Sequence, residues 1–133
     1  MTIFVDASAL IAIIAGEDGA DILADVLEAD PLRLCSALSV WESAAGLCRS
    51  YAFSVPGARV HVRRFLETGR FQFVGLGERE WEMAADAYAR FGKGRHPAAL
   101  NMGDCFAYAC ARSLGVPLLF KGNDFTQTDI AIT

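Results

Sequence analysis

Sixteen acidic residues are spread over this 133-residue chain, and four of them stand where a carboxylate can do chemistry. Asp6 follows the run Ile3-Phe4-Val5, and Glu42 lies just inside a helix expected after a second strand. Asp104 falls in the first turns of a late helix, and Asp124 follows the apolar run Val116 to Phe120. In an open parallel sheet the strand C-terminal ends and helix N-terminal ends share one edge, so four carboxylates remote in sequence can converge on one cleft. Two charges about 4 Å apart repel by roughly 4 kcal/mol at an effective dielectric near 20, so such a cluster needs protons or a cation. An all-oxygen set without Cys or His suits a hard ion, Mg²⁺ or Mn²⁺, rather than zinc. An ion of that class activates water and neutralises charge developing on a phosphodiester, which points to metal-dependent phosphoryl chemistry.

Each residue also has a plainer use. Asp6 or Ser8 can cap the first helix, and Asn101 the helix from Met102. Glu42 stands three residues after Ser39, the spacing of a capping box. Asp104 can complement a helix dipole and Asp124 can shape a turn after Asn123.

The elements that must position these acids are legible in the hydrophobic pattern. Strands are expected at Ile3–Val5, Leu32–Cys35, Phe71–Val74 and Val116–Phe120, with an edge strand possible at Ile130–Ile132. Helices are expected at Ala7–Ala15, Gly19–Ala29, Ser39–Tyr51, Pro56–Gly69, Glu78–Phe91 and Met102–Leu114. In the helix from Glu78, Trp81, Ala84, Ala85 and Tyr88 mark an apolar stripe. Alternating elements of these lengths predict an α/β domain, residues 1–133, with a mostly parallel sheet of four to five strands flanked by helices.

Composition bounds the function. At 53% hydrophobic and 21% charged the chain can bury a core, and its formal charge of −4 lacks the basic footprint of a protein that coats nucleic acid. Contact with phosphates must then be local. Lys93 and Arg95, beside His96 in a Gly-containing loop, are the better candidates. In the basic stretch of Arg59, His61, Arg63, Arg64 and Arg70, Arg59 and Arg63 read as a solvated helix face, and Phe53, Phe65, Trp41 and Trp81 read as core or dimer contacts. Ala7–Ala15 is too short to span a bilayer. The cysteines, Cys35, Cys48, Cys105 and Cys110, lack metal-site spacing and are expected as buried free thiols in a reducing cytoplasm.

Val5-Asp6-Ala7-Ser8-Ala9-Leu10, the Glu42 helix, Leu100-Asn101-Met102-Gly103-Asp104-Cys105 and Leu119 to Phe125 followed by Thr128-Asp129-Ile130 together resemble the PIN-domain ribonucleases of the VapC toxin type. The resemblance runs in order over essentially the whole chain. It implies a three-layer PIN-like fold in which Asp6, Glu42, Asp104 and Asp124 form the acidic quartet, with Asp6 and Asp104 as metal ligands. Ser8 and Asn101 would be polar supports, and Asp129 a substitute or support for Asp124. It further implies Mg²⁺ or Mn²⁺, hydrolysis of RNA, a homodimer, and inhibition by a cognate VapB-like antitoxin.

Two other readings compete. In a haloacid-dehalogenase-like phosphatase Asp6 would be the nucleophile, but that chemistry wants a second Asp two residues later, where Ser8 stands. In a non-enzymatic dimeric interaction module the acids would only cap helices.

Overall fold

A computed structural model describes residues 2–131. Strands β1 (Thr2–Val5), β2 (Leu32–Ser36), β3 (Gln72–Val74) and β4 (Leu118–Leu119) form one sheet in the order β3-β2-β1-β4. All three pairings are parallel, with Phe4 of β1 opposite both Leu34 and Leu118. Around the sheet lie α1 (Ala7–Ala15), α2 (Ala20–Ala29), α3 (Ala37–Tyr51), α4 (Val55–Thr68), α5 (Glu78–Phe91) and α6 (Met102–Leu114).

Alternation along β1 builds the three layers, because successive side chains of a strand point to opposite faces. Phe4 packs with Leu34, Leu118 and the α5–α6 pair, whereas Ile3 and Val5 pack with Leu10, Leu47, Val62 and Leu66 of α1, α3 and α4. The chain runs outward from β1 through β2 to β3, then returns to place β4 on the other side of β1. That reversal makes the C-terminal edge between β1 and β4 the crevice where open α/β sheets bind ligands.

Four local expectations are corrected. The α3 cap is Ser36, whose side chain accepts from Ser39 N–H while Ser39 Oγ accepts from Ser36 N–H, so the helix begins before Ser39 and Glu42 lies in its second turn, outside any cap. The last strand shrinks to Leu118–Leu119 because the Val116 N–H is spent on Ala111 O and Pro117 has no N–H. In the tail, Ala131 O accepts from Leu118 N–H at 3.0 Å, but Ile130 and Ala131 form no strand, and Ile132 lies outside the described residues. On α5 the buried stripe is Ala84, Ala87 and Phe91, leaving Trp81 and Tyr88 exposed, because small residues let α5 approach Ala107, Cys110 and Ala111 of α6.

Cys35, Cys105 and Cys110 are buried free thiols and Cys48 is a half-buried one. Burial pushes the Cys35 and Cys110 thiols up to about 12 and Cys105 to about 11, the last helped by the Asp104 charge. Among the described residues no helix is long and apolar enough to cross a membrane.

Candidate active site

The site begins where β1 ends. Asp6 is the N-cap of α1, and its Oδ2 accepts both the Ser8 N–H, at 2.9 Å, and the Ser8 hydroxyl, at 2.6 Å. The Ser8 Oγ in turn accepts the Lys121 N–H at 2.9 Å, tying the start of α1 to the chain leaving β4. Asp6 is 4% exposed, so this carboxylate is held inside the protein. Its pKa is raised, chiefly by burial, with the Ser8 bonds opposing the shift and the Asp124 charge adding to it.

The second part comes from α6. Asn101 is its N-cap and forms a reciprocal box with Asp104: Asn101 Oδ1 accepts the Asp104 N–H at 2.9 Å, and Asp104 Oδ2 accepts the Asn101 N–H at 3.1 Å. This fixes the Asp104 side chain at the mouth of the crevice. Glu42 arrives from α3, where its carboxylate lies on the bare backbone of Gly103. A Cβ at Gly103 would stand 1.9 Å from Glu42 Oε2 and 2.1 Å from Oε1.

Asp124 completes the set from the exposed segment after β4, at the N-terminus of the 3₁₀ turn Phe125–Gln127. Its charge raises both Asp6 and Asp104, and the Asp6 charge raises both Glu42 and Asp104. The four carboxylates therefore feel one another, with Asp6 as the common neighbour. Burial, then Asp6 and Asp104, push Glu42 up to about 7, against a partial pull from Arg49. Burial is also the main cause at Asp104, pushed up to about 6. Among the described residues none of the four acids joins an ion pair, although Arg90, Arg112 and Lys121 pair with other acids.

Asp129 stands elsewhere. It accepts from Tyr108 Oη at 2.5 Å and from Arg90 Nη2 at 2.9 Å, with Arg112 Nη2 at 3.6 Å, bracing the tail against α5 and α6. These bonds hold its carboxyl below the usual range, the reverse of the shift at Asp104. Lys93 and Arg95 are exposed on the α5–α6 loop, whose ends are pinned by the Gly92–Leu100 bridge and by Lys93 N–H to Leu100 O at 3.0 Å. Leu100 immediately precedes the Asn101 cap, so the base of this cationic loop adjoins Asp104. Arg95 rests over the Tyr88 ring, 5.0 Å from its centroid.

The residues fit a hard divalent ion by their chemistry: four oxygen-donor side chains, three with pKa values raised by burial and by neighbouring carboxylates, and none in an ion pair with a protein cation among the described residues. Among the described residues no three His, Cys, Asp or Glu side chains stand in a coordinating array, and like-charge repulsion works against a closer approach of the carboxylates by themselves.

Two contributors escaped the sequence reading. Gly103 was quoted only as part of a motif, and its sole signal is a glycine next to Asp104 inside a helix, where glycine is unfavourable. The other is a groove of about 1120 Å³ between α3 and α4, whose apolar lining includes Val40, Ala44, Val62 and Leu66 and whose basic lining comprises Arg49, Arg59, Arg63 and Arg70. Arg59 and Arg63 are thus groove walls rather than a featureless solvated face, and Trp41, at 67% exposed, is groove lining rather than core.

Comparison with known proteins gives this geometry a family. The PIN domain family matches residues 3–131. The VapC ribonuclease Mb0640 of Mycobacterium bovis is 42% identical over 127 residues, covering 96% of this chain and 95% of that protein. Mycobacterium tuberculosis VapC20, a toxin that cleaves the sarcin-ricin loop, superposes with a TM-score of 0.77 at 19% identity over 98% of both chains. A toxin–antitoxin complex from Klebsiella pneumoniae gives a TM-score of 0.70 at 18% identity, covering all of this chain and 97% of that one. The chain belongs to the PIN-domain family and, within it, to the VapC ribonucleases.

Proposed function

We propose that this VapC ribonuclease hydrolyses RNA phosphodiesters in the crevice lined by Asp6, Glu42, Asp104 and Asp124, as the toxin of a type II toxin–antitoxin pair. The observation that carries the reading is the electrostatic coupling of four carboxylates, none of which forms an ion pair with a protein cation among the described residues. Asp6 and Asp104 are the residues to hold Mg²⁺, for which Mn²⁺ can substitute, and Asp124 rather than Asp129 is the fourth acid. The chemistry supplied by such an ion is Lewis acidity toward water and toward the developing phosphoryl charge.

The chain's own groups have separate tasks. Ser8 aims the Asp6 carboxylate, and the Asn101 box aims that of Asp104. Glu42, with a pKa near neutrality, can take up a proton from an attacking water at its carboxylate and release it again. The Ser8 hydroxyl donates a hydrogen bond to Asp6, which makes it a positioning group for that carboxylate. Lys93 and Arg95 offer phosphate contacts from the loop beside Asp104.

The α3–α4 groove supports an antitoxin partner. Its apolar floor and arginine walls suit an amphipathic segment carrying acidic residues. Trp41 lines this groove while the next residue, Glu42, serves the crevice, so a segment seated there has a short path to place an arginine among the acids. The exposed Trp81 and Tyr88 of α5 are the apolar surface for a homodimer, and α1 contributes none of the exposed large apolar side chains. The cytoplasm, where free thiols stay reduced, is the proposed place of action.

The test is a cell-wide RNA cleavage map made with the folded, antitoxin-free chain and Mg²⁺. Discrete cuts that disappear with Asp6→Asn and Asp104→Asn are expected. A folded protein that cuts no RNA, or mutants that cut as the parent does, would end this reading.

A further inference from the structure

The three atoms nearest to a Cβ built on Gly103 all belong to Glu42: Oε2 at 1.9 Å, Oε1 at 2.1 Å and Cδ at 2.2 Å. A heavy atom cannot stand so close, so the space that every other residue type would fill is the seat of the Glu42 carboxylate. Gly103 is buried and lies inside α6, one residue before Asp104 and two after the Asn101 cap. Glycine is a poorer helix former than alanine. Helix preference alone does not explain a glycine here, and the three atoms that close nearest upon it all belong to an acid of the crevice.

We propose that Gly103 is a positioning residue for the ribonuclease: its missing side chain is the slot that lets Glu42, from α3, reach the Asp104 end of α6. The proposal rests on the reading that Glu42 works with Asp6 and Asp104. A methyl group at position 103 pushes the carboxylate out of its slot, and the other groups near Asp104 stay in place because Asn101 and Asp104 cap the helix through their own atoms. The obstacle is the far end of a flexible side chain rather than backbone, so displacement of Glu42 relieves it without opening the helix.

The experiment compares Gly103→Ala, Glu42→Gln, Glu42→Asp and the double variant Gly103→Ala/Glu42→Asp in three measurements: RNA cleavage, calorimetric Mn²⁺ binding, and thermal melting in chelator. Gly103→Ala is expected to lose about tenfold or more in cleavage and in Mn²⁺ affinity, the range found when a supporting residue of a metal site is removed. It is also expected to melt no lower than the parent, because alanine favours the helix. Glu42→Asp, one methylene shorter, lowers cleavage in the parent but is expected to raise it in the Gly103→Ala background. If Gly103→Ala cleaves and binds Mn²⁺ like the parent while Glu42→Gln is inactive, the inference is overturned. A loss that Glu42→Asp does not relieve also overturns it, by placing the defect in α6 itself. Should Gly103→Ala fail to fold, Gly103→Ala/Glu42→Ala is compared with Glu42→Ala: melting at or above the single variant supports the slot, and melting below it overturns the inference. Full activity in Glu42→Gln would instead refute the underlying four-acid reading.

Discussion

Ser8 commits two donors to a single oxygen of Asp6, its N–H at 2.9 Å and its hydroxyl at 2.6 Å. Hydrogen bonds to a carboxylate oppose the upward shift that burial imposes, so Ser8 keeps a buried acid nearer to its charged form. In Ser8→Ala the hydroxyl bond is lost and the Lys121 N–H loses its acceptor. The expected result is a stability loss of about 1 kcal/mol in denaturant melts. Cleavage should fall by about tenfold.

Asp6→Asn separates the acid's chemical role from its structural one. Asparagine caps a helix about as well as aspartate and brings no buried charge. In chelator the variant should melt at or above the parent temperature, while RNA cleavage with Mg²⁺ drops by about 100-fold or more.

The pH dependence of stability follows from the same cluster. Glu42 and Asp104 bind protons more tightly in the folded protein, at about 7 and about 6, than in the unfolded chain. Their contribution is fully present below the ordinary carboxyl range near 4 and is lost as pH rises through about 6 and about 7. Melting in chelator should therefore fall between about pH 4 and about pH 7, less steeply in Glu42→Gln. Cleavage should move the opposite way, rising as the two acids ionise. A melting temperature that climbs over this window would contradict the raised values.

Asp124 and Asp129 are expected to separate cleanly. Asp124→Asn should weaken Mn²⁺ binding and slow cleavage, since its charge reaches Asp6 and Asp104. Asp129→Asn should leave both near the parent level and lower the melting temperature, because it removes an acceptor of Tyr108 and the charge between Arg90 and Arg112. Calorimetry and melts on the same preparations check both.

Charge reversal in the groove should affect partner binding alone. Arg63→Glu, on the α4 wall and away from the four acids, is expected to cleave RNA at the parent rate but to resist inhibition by the antitoxin. An inhibition assay at graded antitoxin concentrations reads the difference.

What the sequence revealed divides along physical lines. Asp6 and Asn101 were readable as caps because the short-range bonds that define a cap lie within a few residues. The parallel α/β plan was readable because buried strands and long helices repeat at different periods. The α3 cap was misplaced because Ser36 and Ser39 are both competent caps three residues apart, and only the end of β2 at Ser36 decides between them. The slot at Gly103 was illegible because it is defined by a side chain from another helix. The groove was illegible too, since α3 and α4 form it jointly. The environment that sets Asp129 apart from Asp124 was likewise illegible, since Arg90, Arg112 and Tyr108, which make it, do not neighbour them in sequence.

The distribution of thiols gives this chain a built-in reporter. Three of its four cysteines are buried with pKa values pushed up to about 11 or 12, which suppresses the thiolate that reagents attack. Cys48 alone is half-buried, and it lies in the wall of the α3–α4 groove. A small maleimide or disulfide reagent thus labels the folded protein at one place, and anything that fills the groove shields that place. The native chain can be followed through assembly by its labelling rate, with no residue replaced and no fluorophore engineered in.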